Sequence, residues 1–167
     1  MRTQPLHGTS GLLTALLCCI APFSAVVADP EATTSAAEQT VTLIRTPPEV
    51  LTRQKLPNFV GISAETVGAR GLSMNLVVIP PGAAAEPHFH KDFESAVYVL
   101  EGRVETRYGP GLEESVITET GDFLFIPPDV PHQPINLSAT EAARAIVVRN
   151  DPNEQEHVIL YEPGHDE

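Results

Sequence analysis

In this 167-residue chain the side chains able to do chemistry concentrate in two short stretches. The first, Gly82 to Gly102, reads GAAAEPHFHKDFESAVYVLEG and carries His88, His90 and Glu94. The second, Gly121 to Asn136, reads GDFLFIPPDVPHQPIN and carries His132 just after a proline-rich turn. His88 and His90 are two residues apart, so on a strand both imidazoles leave the same face and can reach one ion. Glu94 follows across a short charged turn, while Pro127, Pro128 and Pro131 fix the backbone that delivers His132. Three imidazoles and one carboxylate are a normal ligand set for a first-row divalent ion. Each residue alone has an ordinary explanation as a solvated loop or turn side chain. Taken together, the two stretches define a candidate metal centre.

Such a centre needs rigid elements to hold it, and the pattern predicts strands. From Leu51 to Tyr161, short apolar runs are separated by Pro, Gly and charged clusters at intervals of roughly 8 to 12 residues. The runs are Phe59 to Thr66, Leu72 to Ile79, Ala96 to Tyr108, Ser115 to Thr118, Phe123 to Ile126, Gln133 to Leu137, Ala142 to Arg149 and His157 to Tyr161. They are rich in β-branched and aromatic residues and too short for stable helices, which predicts an all-β sandwich or barrel. One helical turn is predicted over Glu49 to Gln54, after Pro47 and Pro48. Phe89, between the two histidines, should face away from the site. Gly102, in Leu-Glu-Gly-Arg, should sit in a turn with positive φ.

The spacing Gly-x(5)-His-x-His-x(3)-Glu-x(7)-Gly, followed 18 residues later by Gly-x(5)-Pro-x-Asp-x(2)-His-x(3)-Asn, resembles the paired motifs of the cupin superfamily. The resemblance runs from Leu72 to about Arg149. It implies a small antiparallel jelly-roll β-barrel, with His88, His90, Glu94 and His132 as ligands of one divalent transition metal: Mn, Fe, Ni, Zn or Cu. The chain departs from the motifs in two places. Ser95 stands where the glutamate usually falls relative to the closing glycine, and Asp129 replaces a usual glycine. Aspartate tolerates left-handed turn conformations, so the second turn should survive.

Proteins of this superfamily include dioxygenases, oxalate-degrading enzymes, sugar-phosphate isomerases, lyases and proteins with no enzymatic role. The expectation is a metal-dependent oxidoreductase, of dioxygenase or decarboxylase type, acting on a small extracytoplasmic organic compound. The alternative is a non-catalytic metal- or ligand-binding module. No Gly-x-Ser-x-Gly elbow supports a serine hydrolase, and no glycine-rich phosphate loop or dinucleotide fingerprint is present. Asn136-Leu137-Ser138 matches a glycosylation acceptor but overlaps the second motif, and is read as coincidence. His157 and His165, near the C-terminus, are read as solvated.

Lys and Arg number 10 against 22 Asp and Glu, a formal charge of -12 that repels nucleic acid and anionic lipid. Residues 1–28 read as a secretory signal peptide: Arg2, an apolar run from Gly11 to Phe23, then small residues ending at Ala28. Its removal takes away one positive and no negative charge, leaving -13 from -12, and removes both cysteines, Cys18 and Cys19. The mature protein is therefore expected to be periplasmic or secreted, free of disulfides and not membrane-bound. Residues 29–50 read as a linker or N-terminal arm, in which Val41, Leu43 and Ile44 could add an edge strand to the domain or to a partner subunit. Residues 51–161 form the barrel and 162–167 a flexible tail. Exposed sheet edges and the resemblance both favour a homodimer.

Overall fold

The computed structural model describes residues 40–153 and 157–164. The expected signal peptide, the arm as far as residue 39, and the last residues of the tail, His165 among them, lie outside the described residues. Among those described, the elements are almost all strands: β1 (Glu49–Leu51), β2 (Pro57–Ile62), β3 (Ser73–Ile79), β4 (His88–His90), β5 (Ser95–Glu101) and β6 (Arg103–Tyr108), then β7 (Glu114–Glu119), β8 (Phe123–Ile126), β9 (His132–Asn136), β10 (Ala143–Arg149) and β11 (Val158–Leu160). They form two antiparallel sheets, ordered β1-β2-β3-β10-β5-β8 and β11-β4-β9-β6-β7. This is the all-β jelly-roll architecture.

Period-two alternation decides which side chains face inward. In β10, Ala143, Ala145, Val147 and Arg149 line the interior. Its neighbours lock that register, with Ala143 opposite Ile79 and Arg149 opposite both Ser73 and Ser95. The interior is consequently graded along its length. One end is an apolar cluster of Leu56, Ile79, Ala85, Val104 and Ala143. The other end carries buried Ser73, Ser95, Arg149 and the three histidines of the two motifs.

The run expected as one strand from Ala96 to Tyr108 is split at Gly102, where the chain leaves the first sheet for the second. Gly102 has φ 95°, and a Cβ there would lie 2.8 Å from Ala143 Cβ, so both conformation and space require glycine. The predicted helical turn over Glu49 to Gln54 is absent. Instead β1 pairs with β2, and Thr52 N–H donates to the Leu56 carbonyl at 3.1 Å across a turn that places Lys55 at φ 63°. Pairing with β2 satisfies backbone groups that a single helical turn would have left open.

The run expected as a strand from Phe59 to Thr66 stops at Ile62. Ser63 then caps a four-residue helix, α1 (Ala64–Val67), by a reciprocal pair of bonds with Thr66, and Gly68 ends it at φ 68°. Val41, Leu43 and Ile44 form no strand among the described residues, and Val41 and Leu43 are exposed. Asn136 is buried, and its Nδ2 donates to the carbonyls of Ile79, Pro80 and Glu141 at 2.8 to 3.1 Å. Its amide therefore braces the apolar end and is not accessible for glycosylation. Among the described residues no helix is long and apolar enough to cross a membrane.

Candidate metal centre

Register creates the site. β4 pairs with β9 at a single position, His88 opposite His132, and His90 lies two residues further along the same face. The ring centroids are 4.3 Å apart for His88 and His132, 5.1 Å for His88 and His90, and 5.4 Å for His90 and His132. One nitrogen from each ring lies within 4.8 Å of the others, and all three residues are buried. Phe89 is absent from the chamber lining and pairs with Ile159 on β11.

Hydrogen bonds orient two of the rings. His88 Nδ1 lies 2.8 Å from the Glu86 carbonyl and His132 Nδ1 lies 2.9 Å from the Val130 carbonyl. A carbonyl only accepts, so these contacts assign the proton to Nδ1 and leave Nε2 with its lone pair. Both ring nitrogens of His90 are buried with no hydrogen-bond partner among the described residues. An orphaned buried imidazole between two oriented ones fits a first-row divalent ion, which would satisfy it.

Electrostatics keep the set in its ligand form. Burial, with the neighbouring His132 ring, pushes His88 down to about 3, and burial pushes His132 down to about 4. His90 is also pushed down, by burial first and then by Arg149, His88 and His132. All three are therefore neutral near pH 7, with lone pairs available.

The loops that deliver the two motifs are tied together. Asp129 adopts φ 60°, the left-handed turn expected where glycine is usual, and its N–H donates to the His90 carbonyl at 3.1 Å. Its Oδ1 accepts from Asp92 N–H at 3.2 Å.

Glu94 does not join the three histidines. Ser95 is the inward residue that opens β5, 1% exposed, and its Oγ accepts from Arg149 Nε at 2.9 Å. Alternation then turns the preceding residue outward. The Glu94 N–H donates to Asn150 Oδ1 at 3.0 Å, and its exposed side chain borders an outer depression with Leu72 and Phe125. One more residue between His90 and the carboxylate would have placed it on the inner face.

Two features went unread in the sequence. Arg149 is a buried cation beside the histidines, foreshadowed only by its inward parity at the end of β10. His157, expected to be solvated, is part-buried, with Nδ1 2.8 Å from the buried Asp151 carboxylate and its ring against Phe93. It lies outside the histidine cluster. Glu86 pairs with Lys55 at the surface, and the partly exposed Tyr98 ring lies tilted against Phe123.

The histidines form one wall of an interior chamber of about 90 Å³ whose other walls include Val77, Val97, Val99 and Leu124. Among the described residues that line it there is no carboxylate.

Residues 75–149 match the family model for the Cupin domain. Over 106 residues the chain is 33% identical to a quercetin 2,3-dioxygenase of Escherichia coli, covering 64% of this chain and 43% of that protein. It thus spans less than half the length of the curated relatives it matches. Among solved structures, a Cupin 2 conserved barrel domain protein from Salinispora arenicola superposes with a TM-score of 0.56 at 21% identity, covering 70% of this chain and 95% of that one. An oxalate decarboxylase from Lactobacillus farciminis gives a TM-score of 0.58 at 19% identity, covering 68% of this chain and 33% of that one. The domain match covers residues 75–149, and these solved structures share the chain's barrel fold.

Proposed function

We propose that this protein is a metal-dependent oxidoreductase, of dioxygenase or decarboxylase type, acting on a small organic compound outside the cytoplasm. The ligands in this reading are His88, His90 and His132, with Glu94 outside the set. The observation that carries it is the convergence of three buried, neutral imidazoles on the wall of an apolar chamber. A filled barrel would suit a purely structural or metal-storing module; the chamber supports substrate binding instead. The quercetin 2,3-dioxygenase relative supports a dioxygenase among the possible reactions.

A divalent ion held there supplies Lewis acidity and, where it is redox-active, electron transfer. The chain's own residues do the rest. The Glu86 and Val130 carbonyls hold two rings in one tautomer, and the Asp129 N–H fixes the strand end that carries His90. Valine and leucine walls exclude water, which strengthens every electrostatic contact inside. The guanidinium of Arg149 beside the cluster opposes protonation of the imidazoles and favours an oxygen of partial or full negative charge in the chamber.

Export rests on residues 1–28, and a homodimer is supported by the exposed apolar side chains of Val41, Leu43 and Phe123. Light scattering of the mature protein at micromolar concentration tests the dimer, which a monomer mass would rule out. The function is tested by metal analysis of untagged mature protein purified from its exported compartment, beside His90→Ala. The expected result is about one metal per chain in the wild type, as a one-ion site requires, and none in the variant. Iron, manganese or copper then directs assays to dioxygen uptake, and zinc to Lewis-acid chemistry. Absence of metal from both proteins overturns the reading.

A further inference from the structure

A second, larger space adjoins the histidine chamber. Its volume is about 280 Å³, and it shares Thr106, Leu124, Ile126 and His132 with the chamber lining. It lies by β7 and β8, one edge strand of each sheet: β7 pairs only with β6 and β8 only with β5 among the described residues. The remaining walls are Tyr108, Val116, Phe125, Pro127 and Val130, none of them charged. In a chain of formal charge -12, an uncharged passage ending at a buried histidine is a selective feature of the surface.

The chamber itself is small. A cavity of about 150 Å³ is what holds a benzene ring. At about 90 Å³ the chamber admits a head group of a few atoms and excludes a ring. Chamber and groove together reach the low end of the volumes that hold small organic ligands.

We propose that the groove by β7 and β8 is a binding subsite for the apolar, ring-sized body of an uncharged or singly charged substrate whose oxygen-donor head enters the histidine chamber. The substrate class is then an aryl or similarly apolar compound with adjacent oxygen donors, in place of a short dicarboxylate that the chamber alone would hold. This inference rests on the metal-centre reading, since the oxygen donors need an ion to meet.

Two chelators that share a hydroxamate head and differ only in body test it: acetohydroxamate with a methyl group and benzohydroxamate with a phenyl ring. Binding to the metal-loaded full chain is measured by calorimetry, with metal content determined on the same samples. The expected result is that benzohydroxamate binds at least tenfold tighter than acetohydroxamate. Val116→Trp, which fills the groove, should remove that advantage and leave acetohydroxamate unchanged; Phe125→Trp fills it from another wall. Equal affinities in the wild type overturn the proposal whether or not the variants fold, as does an advantage that persists in both filled variants. Metal present with equal affinities overturns the subsite alone, whereas no bound metal overturns the function reading and this inference with it.

Discussion

Strand β10 of one sheet and strand β4 of the other differ in how firmly they are stitched. At the centre of the six-stranded sheet, β10 is in register with β3 over seven residue pairs and pairs with β5 over six, with one register shift after Arg144. In the five-stranded sheet, β4 meets β11 over three pairs and β9 at one. Two of the three candidate ligands, His88 and His90, nevertheless belong to the loosely stitched β4, and the third, His132, opens β9, which pairs with β6 over five residues. Continuous ladders build the wall of the barrel, while the histidines depend on individual ties: two ring-to-carbonyl bonds, the Asp129 contacts and the prolines before His132. Wall and site should therefore fail separately when perturbed.

The largest effect expected is loss of metal on removing one ligand. His88→Ala or His132→Ala should abolish stoichiometric metal and the rise in Tm that metal produces, yet change Tm little in chelator. Equal Tm losses in both buffers would make those histidines ordinary packing residues.

Next in size is a pH effect on the metal-free protein. Folded His88 and His132 resist protonation down to about 3 and about 4. The unfolded chain takes up those protons near pH 6.5, so it binds more protons than the folded one between these values. Stability is thus complete above about pH 6.5 and falls with pH below it, on the order of 1 kcal/mol per unit for each histidine. Urea midpoints in chelator at pH 7, 6 and 5 measure this, and a flat profile would contradict the buried neutral state.

Gly102→Ala addresses the wall. Its methyl meets Ala143 and its φ is unfavourable for alanine, which predicts a loss of about 2 kcal/mol. Metal per folded chain should stay unchanged, and parallel loss of metal would show that the sheets are coupled. The smallest effect is predicted for Asp129→Gly. Glycine takes the same φ freely and loses only the Asp92 contact, so stability should move by less than about 1 kcal/mol. A larger fall would assign the tie between the two loops more weight than its geometry implies.

Alternation and motif spacing carried most of the fold into view before the coordinates, because inward parity in β5 and β10 depends only on residue order. Glu94 shows where that legibility ends. Its face is set by which parity of β5 points inward, and pairing with β8 and β10 turns Ser95 inward and so Glu94 outward. The region Glu49 to Gln54 failed for a related reason, since local proline and charge signals were outweighed by pairing with β2. His157 was unreadable because its partner, Asp151, lies six residues away, a spacing that neither strand nor helix periodicity pairs.

β8 has a consequence for solubility. Its four residues, Phe-Leu-Phe-Ile, expose Phe123 and Phe125 and, among the described residues, leave one backbone edge unpaired, the kind of strand on which chains stack into aggregates. Asp122 stands directly before it, and Pro127 and Pro128 directly after. A charge at one end and two residues without an N–H at the other allow an incoming strand only a short foothold. The same prolines that aim His132 therefore also guard the chain against edge-to-edge aggregation.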